Sequence, residues 1–305
     1  MAAPWIEKLE GIDRRAVFLV MGLAITLPLL YPVPLPINPT QPVKDFHRFI
    51  ENLPPGSKVL VSDDWDPGSK AELQTVSLIV HRHLRDRGVR VIDTCLWQTG
   101  PAAVADVLDR IYGKAGKVYG EDYVFLGFKE GRELVMPSLG NSIPATYPAD
   151  ARGTPIGQFP IMQGVRRLSD LAGLISVSAG YPGTKEWVQQ VQKRYSIPMV
   201  SACSGVSAPE YFAYYESKQL QGLVGGMKAF AEYVRLLGGK TGFATLAMTS
   251  QAAGHYMLVL LILVGNVLYL LKREMRTWAL ALALASILLY AYTLYAVSAA
   301  SGGAP

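Results

Sequence analysis

Three long stretches of this sequence contain no charged side chain, and they constrain the fold more than any other feature. They are residues 16–35, 256–271 and 277–297. A helix needs about 20 apolar residues to cross the hydrocarbon core of a bilayer. We therefore predict three transmembrane helices, over residues 16–35, 248–271 and 277–298.

The charged residues lie mostly between the first two stretches and indicate a water-soluble domain there. Residues 44–240 hold 23 of the 29 basic and 20 of the 24 acidic side chains. The net charge of this part is only +3 (23 minus 20), and the two signs are interleaved along the chain. A nucleic-acid-binding domain would carry a clustered basic stripe, so we expect no nucleic-acid partner.

Basic residues beside the apolar stretches predict the direction of the chain across the membrane. Arg14 and Arg15 precede the first stretch. Three more basic residues separate the second stretch from the third: Lys272, Arg273 and Arg276. Because cytoplasmic loops are enriched in Lys and Arg, we expect residues 1–15 to be cytoplasmic. A three-pass protein results, with its main domain on the extracytoplasmic side.

The soluble domain is expected at residues 58–240, after a proline-rich linker and lead-in helix at 36–57. Within it, short apolar runs alternate with amphipathic helical patterns. This alternation is typical of a mostly parallel sheet with helices on both faces. We predict an α/β fold with about five strands in a Rossmann-like or flavodoxin-like order. The strands are expected at 58–62, 89–94, 122–128, 174–177 and 198–201.

Residues 131–164 depart from this alternation, because they are rich in Gly and Pro and show little periodicity. A loop of this length inside a compact domain usually has a function. It follows the third predicted strand. We therefore expect this loop insertion to hang over the carboxyl edge of the sheet, as a functional loop or an interaction arm.

A long helix is predicted over residues 209–237, where apolar side chains recur with heptad spacing beside three glycines. Glycine inside a helix costs about 1 kcal/mol relative to alanine, so close packing of a neighbour is expected to offset that cost. The chain's own sheet, a second subunit and the membrane surface remain open as that neighbour. The residues expected at this interface are Leu220, Gly222, Leu223, Gly226, Met227 and Phe230.

Small and polar residues in the last two apolar stretches indicate contacts between helices. Ala279 and Ala283 are four residues apart, a spacing that lets helices approach closely. Asn266 lies within an apolar helix, where its amide needs a partner on a neighbouring helix or backbone. The expected partners are therefore the lipid bilayer and either a second copy of the chain or other membrane-protein subunits.

Acidic residues gather where the first two strands are predicted to end. Asp63, Asp64 and Asp66 follow the first strand, and Asp93 lies at the end of the second. Ligands of open α/β sheets bind at the carboxyl ends of the strands, and grouped carboxylates can hold a hard cation or a cationic or hydroxylated ligand. Asp66 also fits a turn followed by a helix cap, so both interpretations remain open.

Sequence motifs for common cofactors are missing. No Gly-x-Gly-x-x-Gly follows the first strand and no P-loop is found, so we expect no cofactor. Cys203 and Ser204 faintly resemble a nucleophile elbow, but the candidate bases His81 and His83 lie on a predicted helix. Cys95 and Cys203 both sit at predicted strand ends, which favours two buried free thiols over a disulfide.

A motif near the end of the soluble domain resembles one in an uncharacterised bacterial family of membrane-anchored extracytoplasmic α/β proteins. The motif is Gln219–Tyr233 (QLQGLVGGMKAFAEY), with Ser207-Ala208-Pro209 upstream. The resemblance covers most of the soluble domain. It implies a bacterial inner-membrane location but no activity, since none can be named for that family.

Three functions fit these features. The leading hypothesis is a non-catalytic subunit of a larger bacterial membrane assembly, based on the long helix, the small-residue hairpin, the loop arm and the lack of a catalytic set. The second is a tethered ligand-binding or sensor domain that uses the acidic cluster. The third is an extracytoplasmic hydrolase with Cys203 or Ser204 as nucleophile.

Overall fold

A computed structural model describes residues 11–31, 38–239, 243–272 and 285. The chain divides into two compact units. One unit combines Met1–Pro36 with Thr245–Pro305, and the other is Ile37–Ala244.

The elements are numbered in chain order within the described residues. The strands are β1 (Lys58–Asp64), β2 (Arg90–Cys95), β3 (Tyr123–Phe128), β4 (Gly173–Ser178), β5 (Met199–Cys203) and β6 (Leu223–Gly225). The helices are α1 (Arg14–Leu30), α2 (Gln41–Glu51), α3 (Lys70–Asp86), α4 (Pro101–Ile111), α5 (Val135–Asn141), α6 (Ile143–Thr146), α7 (Thr184–Trp187), α8 (Lys193–Tyr195), α9 (Ala208–Glu216), α10 (Gly226–Leu236) and α11 (Phe243–Lys272). A π-helical turn, Val188–Gln192, joins α7 to α8.

The six strands form one parallel sheet in the order β3-β2-β1-β4-β5-β6. This is the Rossmann order, in which the direction of winding reverses between β1 and β4. The α/β prediction is therefore confirmed, and the Rossmann-like order holds rather than the flavodoxin-like one. The expected count of five strands is corrected to six by β6, which pairs with β5.

Side chains of successive strand residues point to opposite faces of the sheet, so the domain has two apolar cores. Val59 and Val61 of β1 pack with α2, α3, α4 and α10 on one face. Leu60 packs with α5 to α9 on the other. The burial on both faces explains why the strands read as continuous apolar runs.

Residues 131–164 form part of the second layer rather than a projecting arm. They contain α5, α6 and several 3-10 turns, and most of their apolar side chains pack in the core that includes residues of β1, β2 and β3. Val135, Met136, Leu139 and Ile143 are each at most 5% exposed. Helical pieces this short give little periodic signal, which is why the sequence pattern indicated a loop.

The single helix predicted over 209–237 is wrong, because the segment contains α9, β6 and α10. Gly226 starts α10 with φ at +77°, a backbone conformation that only glycine adopts readily. A Cβ on Gly222 would collide with the backbone of Phe46 on α2. The glycines thus serve a turn and a close contact inside this domain.

The six residues predicted at a helix interface accordingly have neighbours within their own chain. Leu220, Leu223 and Phe230 are at most 2% exposed and belong to the two cores. Met227 is partly buried and packs against the first core. A role of this segment in subunit contact stays a prediction that the fold does not require.

Among the described residues of the other unit, one helix is long and apolar enough to cross a bilayer, Thr249–Tyr269, with 21 residues and a mean hydropathy of 1.8. It lies within the second predicted span and carries Asn266, which is exposed. The first predicted span overlaps α1, which has 17 residues, none of them buried, and is shorter than a helix that crosses a bilayer. The third span lies outside the described residues apart from Ala285, and so do Ala279 and Ala283.

Gly222→Ala tests the corrected secondary structure, because the two arrangements predict opposite changes in the unfolding free energy. In a long exposed helix this change would stabilise the protein by up to about 1 kcal/mol. In the observed fold it forces a methyl group against Phe46 and should lower the unfolding free energy by about 1–3 kcal/mol. Thermal unfolding of the full-length protein in detergent would measure the difference.

Gly157→Ala is the matched control, because no atom lies within 4 Å of a Cβ at that exposed position. Its effect should stay within about 0.5 kcal/mol. A stabilised Gly222→Ala variant would contradict the helix–strand–helix arrangement.

Candidate functional site

The four aspartates predicted as a ligand site do not converge on one point. Asp63, Asp64 and Asp93 are fully buried, with no exposed surface. Asp63 and Asp93 face the α3 layer, whereas Asp64 faces the opposite layer. Asp66 accepts hydrogen bonds from the backbone N–H and the hydroxyl of Ser69, at 3.0 and 2.9 Å, so it serves the turn before α3.

Asp64 joins the loop after β2 to the helix after β4. Its carboxyl accepts hydrogen bonds from the Ser62 hydroxyl at 2.7 Å, the Leu96 backbone N–H at 2.8 Å and the Trp187 indole at 3.1 Å. Burial raises its pKa to about 7, although these hydrogen bonds oppose the rise. The three donors come from β1, the β2–α4 loop and α7, so this side chain positions the loops at the switch point of the sheet.

On the other face, Asp63, His81 and Asp93 form a buried cluster between the sheet and α3. Nε2 of His81 lies 2.9 Å from Oδ2 of Asp63 and 3.2 Å from Oδ2 of Asp93. Asp63 also accepts hydrogen bonds from the Trp65 indole at 2.7 Å and the Ser77 hydroxyl at 3.1 Å. The imidazole N–H bonds to Asp63, so neither oxygen of Asp93 has a hydrogen-bond partner among the described residues.

Electrostatics favour extra protons in this cluster. Burial alone lowers the pKa of His81, but the contact with Asp63 and the nearby carboxyl group of Asp93 outweigh it and raise the pKa to about 9. Burial and the charge of Asp63 raise the pKa of Asp93 to about 8, against the opposing effect of His81. These shifts favour a proton on both His81 and Asp93 at neutral pH.

A second polar cluster lies between α2 and α3. Nε2 of His83 is 2.8 Å from Oε1 of Glu51, and Nδ1 of His83 is 2.6 Å from the hydroxyl of Tyr233 on α10. The ring of His47 stacks on that of His83 with centroids 5.1 Å apart. In this cluster, as in that of Asp63, His81 and Asp93, three donor atoms lie within 4.8 Å of one another and could hold a metal ion.

The carboxyl edge of the sheet carries a cleft of about 440 Å³ between three loops. It is lined by Trp97, Gln98 and Thr99 after β2, Glu130 and Arg132 after β3, and Tyr181 after β4. The indole of Trp97 donates a hydrogen bond of 2.8 Å to the Pro182 carbonyl, which ties two of these loops together. The sequence pattern placed the site at this edge, but it did not identify these side chains.

Backbone geometry at the cleft is unusual for the residues present. Arg132 has φ at +50°, in the left-handed region that non-glycine residues seldom occupy and that is often found at functional sites. Its guanidinium lies 5.7 Å from the ring centroid of Tyr181, and the hydroxyl of Tyr181 donates a hydrogen bond to Glu133. These contacts hold a cation and an exposed aromatic ring at the rim.

The nucleophile-elbow candidates are not arranged for covalent catalysis. Cys203 and Cys95 are free, buried thiols, as expected, and burial raises the pKa of both thiols far above neutral. Ser204 donates its hydroxyl hydrogen to the Ala179 carbonyl or to Ser207. No histidine within 38–239 is hydrogen-bonded to Cys203 or Ser204.

The pattern of α3 did contain a signal for the buried cluster. Ser77 and His81 are four residues apart, and they continue the inward stripe of Leu73 and Leu84. Two polar side chains on an apolar stripe require buried partners. The pattern could not indicate that Asp63 and Asp93 would be these partners, because that depends on the register of β1, β2 and α3.

Asp93→Asn should change how stability depends on pH. The folded pKa of Asp93 is about 8, above the model-peptide value near 4, so the folded state holds a proton that the unfolded chain releases. The unfolding free energy of the wild type should therefore decrease as the pH rises from 5 to 8. It should decrease more steeply than that of Asp93→Asn, by about 1 kcal/mol for each pH unit.

Thermal unfolding in detergent at several pH values would measure this slope. Asp109→Asn, which removes an exposed carboxylate, is the matched control and should follow the wild type. Parallel curves for the wild type and Asp93→Asn would contradict a protonated Asp93.

Comparison with protein-family models, with curated proteins and with solved structures finds no match to this chain. The resemblance of the Gln219–Tyr233 motif to a membrane-anchored family stays a prediction. The function of the chain has to follow from the geometry of its own clefts and clusters.

Proposed function

We propose that this protein is a membrane-anchored binding protein whose α/β domain takes a small polar molecule in the cleft at the carboxyl edge of the sheet. The observation that carries the proposal is the cleft itself. Three successive strand-end loops meet there around an aromatic pair, Trp97 and Tyr181, with Arg132 held in a left-handed conformation. Ligands of doubly wound sheets bind at this edge.

The loop beneath the cleft is closely packed, which suits binding. A Cβ on Gly100, at the start of α4, would lie 2.5 Å from both Sγ of Cys95 and the carbonyl of Trp65. The hydrogen bond from the N–H of Leu96 to Asp64 also holds the β2–α4 loop to β1. A preformed site loses less conformational entropy when a ligand binds.

The chemistry of the lining indicates the kind of ligand. Trp97 is half-buried and Tyr181 is 52% exposed, so both side chains present aromatic surface to the cleft. Arg132 supplies a cation, whereas Glu130, Gln98 and Thr99 supply polar groups. We infer a small molecule with a flat group and an anionic group, of the size that a cleft of about 440 Å³ accepts.

The hypothesis of a non-catalytic assembly subunit has lost two of its supports. The glycines of the segment 209–237 pack inside the domain, and residues 131–164 cover its own sheet. What still favours it is the pair of apolar stretches near the C-terminus. A subunit role would be compatible with ligand binding but is no longer the function that the geometry supports best.

The membrane arrangement is part of the same proposal. We infer a three-pass protein of a bacterial inner membrane with the binding domain on the extracytoplasmic side. The apolar helix Thr249–Tyr269 supports one anchor, and α1 exposes large apolar side chains along its length. The basic residues at 14–15 and 272–276 support the direction.

Trp97→Ala should weaken binding in the cleft by about tenfold, because it removes a stacking ring. Saturation-transfer NMR of the full-length protein in nanodiscs, against a panel of small anionic metabolites with aromatic groups, would detect the ligands. Compounds that give a signal with the wild type should lose it with Trp97→Ala and with Arg132→Ala.

The control variant is Phe212→Ala, which removes an aromatic ring that is 46% exposed on α9 and does not line the cleft. It should bind like the wild type. The proposed site would be refuted by a panel that shows no signal, or by signals that Trp97→Ala and Arg132→Ala leave unchanged.

Val206→Cys should be labelled by a membrane-impermeant maleimide added to intact spheroplasts, because Val206 is 92% exposed on the soluble domain. Ile12→Cys, in the segment before α1, should be labelled only after the membrane is permeabilised. The native thiols are buried and should contribute little. The opposite labelling pattern would reverse the proposed orientation.

A further inference from the structure

The cluster of His47, Glu51 and His83 has the composition and spacing of a metal site. His47 and Glu51 are one helical turn apart on the same face of α2, and His83 lies in the last turn of α3. The three donor atoms lie within 4.8 Å of one another. Two imidazoles and one carboxylate are the ligand set that zinc takes in several metalloenzymes.

We propose that His47, Glu51 and His83 bind a divalent transition-metal ion, with Zn²⁺ as the best fit. Zn²⁺ bound at about 2.1 Å in tetrahedral geometry needs donors about 3.4 Å apart. Nε2 of His83 and Oε1 of Glu51 are 2.8 Å apart, and no two of the three donor atoms are more than 4.8 Å apart, so their spacing brackets the distance that the ion requires.

Tyr233 gives His83 the partner that a metal-binding imidazole requires. A ligating histidine usually donates its second ring N–H to a neighbouring group, which fixes its tautomer. The hydroxyl of Tyr233 is 2.6 Å from Nδ1 of His83 and is fully buried. Because a hydroxyl both donates and accepts, it serves His83 whether Nε2 carries a proton or a metal ion.

Glu51 has one oxygen available for the metal. Oε1 faces His83, whereas Oε2 lies 3.6 Å from the Arg87 guanidinium. Arg87 also donates a hydrogen bond of 2.8 Å to the backbone carbonyl of Glu51, which anchors the end of α2. This arrangement suits monodentate binding through Oε1, with Arg87 orienting the carboxylate.

Access distinguishes this cluster from that of Asp63, His81 and Asp93. Glu51 is 39% exposed and His47 is half-buried, and both line a groove along the outer face of α3. An ion can enter there, and a fourth coordination position would face the groove. The three residues of the other cluster are 0% exposed, so an ion has no comparable path to them.

His47→Ala and Glu51→Gln should each weaken Zn²⁺ binding by at least about 100-fold, because even outer partners of a metal ligand contribute 10- to 100-fold. The measurement is calorimetric titration of ZnCl₂ into full-length, tag-free protein in detergent after chelator treatment. The wild type should bind one Zn²⁺ per chain. At a hundredfold excess over the dissociation constant, Zn²⁺ should also raise its melting temperature by about 5 °C.

Two further variants separate a metal site from a hydrogen-bond network. Tyr233→Phe should keep the stoichiometry but weaken Zn²⁺ binding by about 10- to 100-fold. His255→Ala, which removes the histidine of α11, is the matched control and should bind like the wild type. Melting temperatures measured without Zn²⁺ would show whether the variants fold. His47→Ala is expected to fold, because His47 is not in the buried core.

Two results would overturn the proposal. One is a wild type that binds no Zn²⁺ at concentrations up to about 100 μM, far weaker than structural zinc sites. The other is binding that His47→Ala and Glu51→Gln retain but Asp93→Asn abolishes, since that would place the ion in the buried cluster. Neither result bears on the edge cleft, whose ligands are tested separately.

Discussion

The buried contact between His81 and two aspartates constrains how the α/β domain is assembled. Desolvating an unpaired charge costs several kcal/mol, and Nε2 of His81 lies between Asp63 and Asp93, at 2.9 and 3.2 Å. This contact ties α3 to β1 and β2, because Nε2 of His81 lies beside one carboxyl group from each strand. A domain that carries this cluster tolerates little sliding of that helix.

On the opposite face of β1, a buried carboxyl group likewise joins the strand to the loops around the edge cleft. Asp64 is as deeply buried as Asp63, but it bonds to a backbone N–H after β2 and to an indole after β4. Neighbouring residues of one strand thus anchor two different layers. The β2–α4 loop, which lines the edge cleft, is therefore held by a carboxyl group that is itself fully buried.

Two places among the described residues of the domain combine accessible space with groups suited to binding. The edge cleft offers Trp97, Tyr181 and Arg132 at the carboxyl ends of the strands. The groove beside α3 is lined by His47 and Glu51 near the C-terminal end of α3. They use different chemistry, stacking with a cation in one and imidazole with carboxylate in the other, and they share no residue.

The sequence by itself determined the class of fold, because apolar runs with alternating periodicity identify buried strands such as β1 and amphipathic helices such as α3. It also placed acidic residues at the strand ends. Only the tertiary structure decided that β6 interrupts the segment 209–237, since a heptad pattern cannot show that Gly222 must lie against Phe46. Likewise, only the tertiary structure shows that Asp63 and Asp93 face His81 whereas Asp64 faces the opposite layer. The pairing of side chains distant in sequence depends on how strands and helices pack.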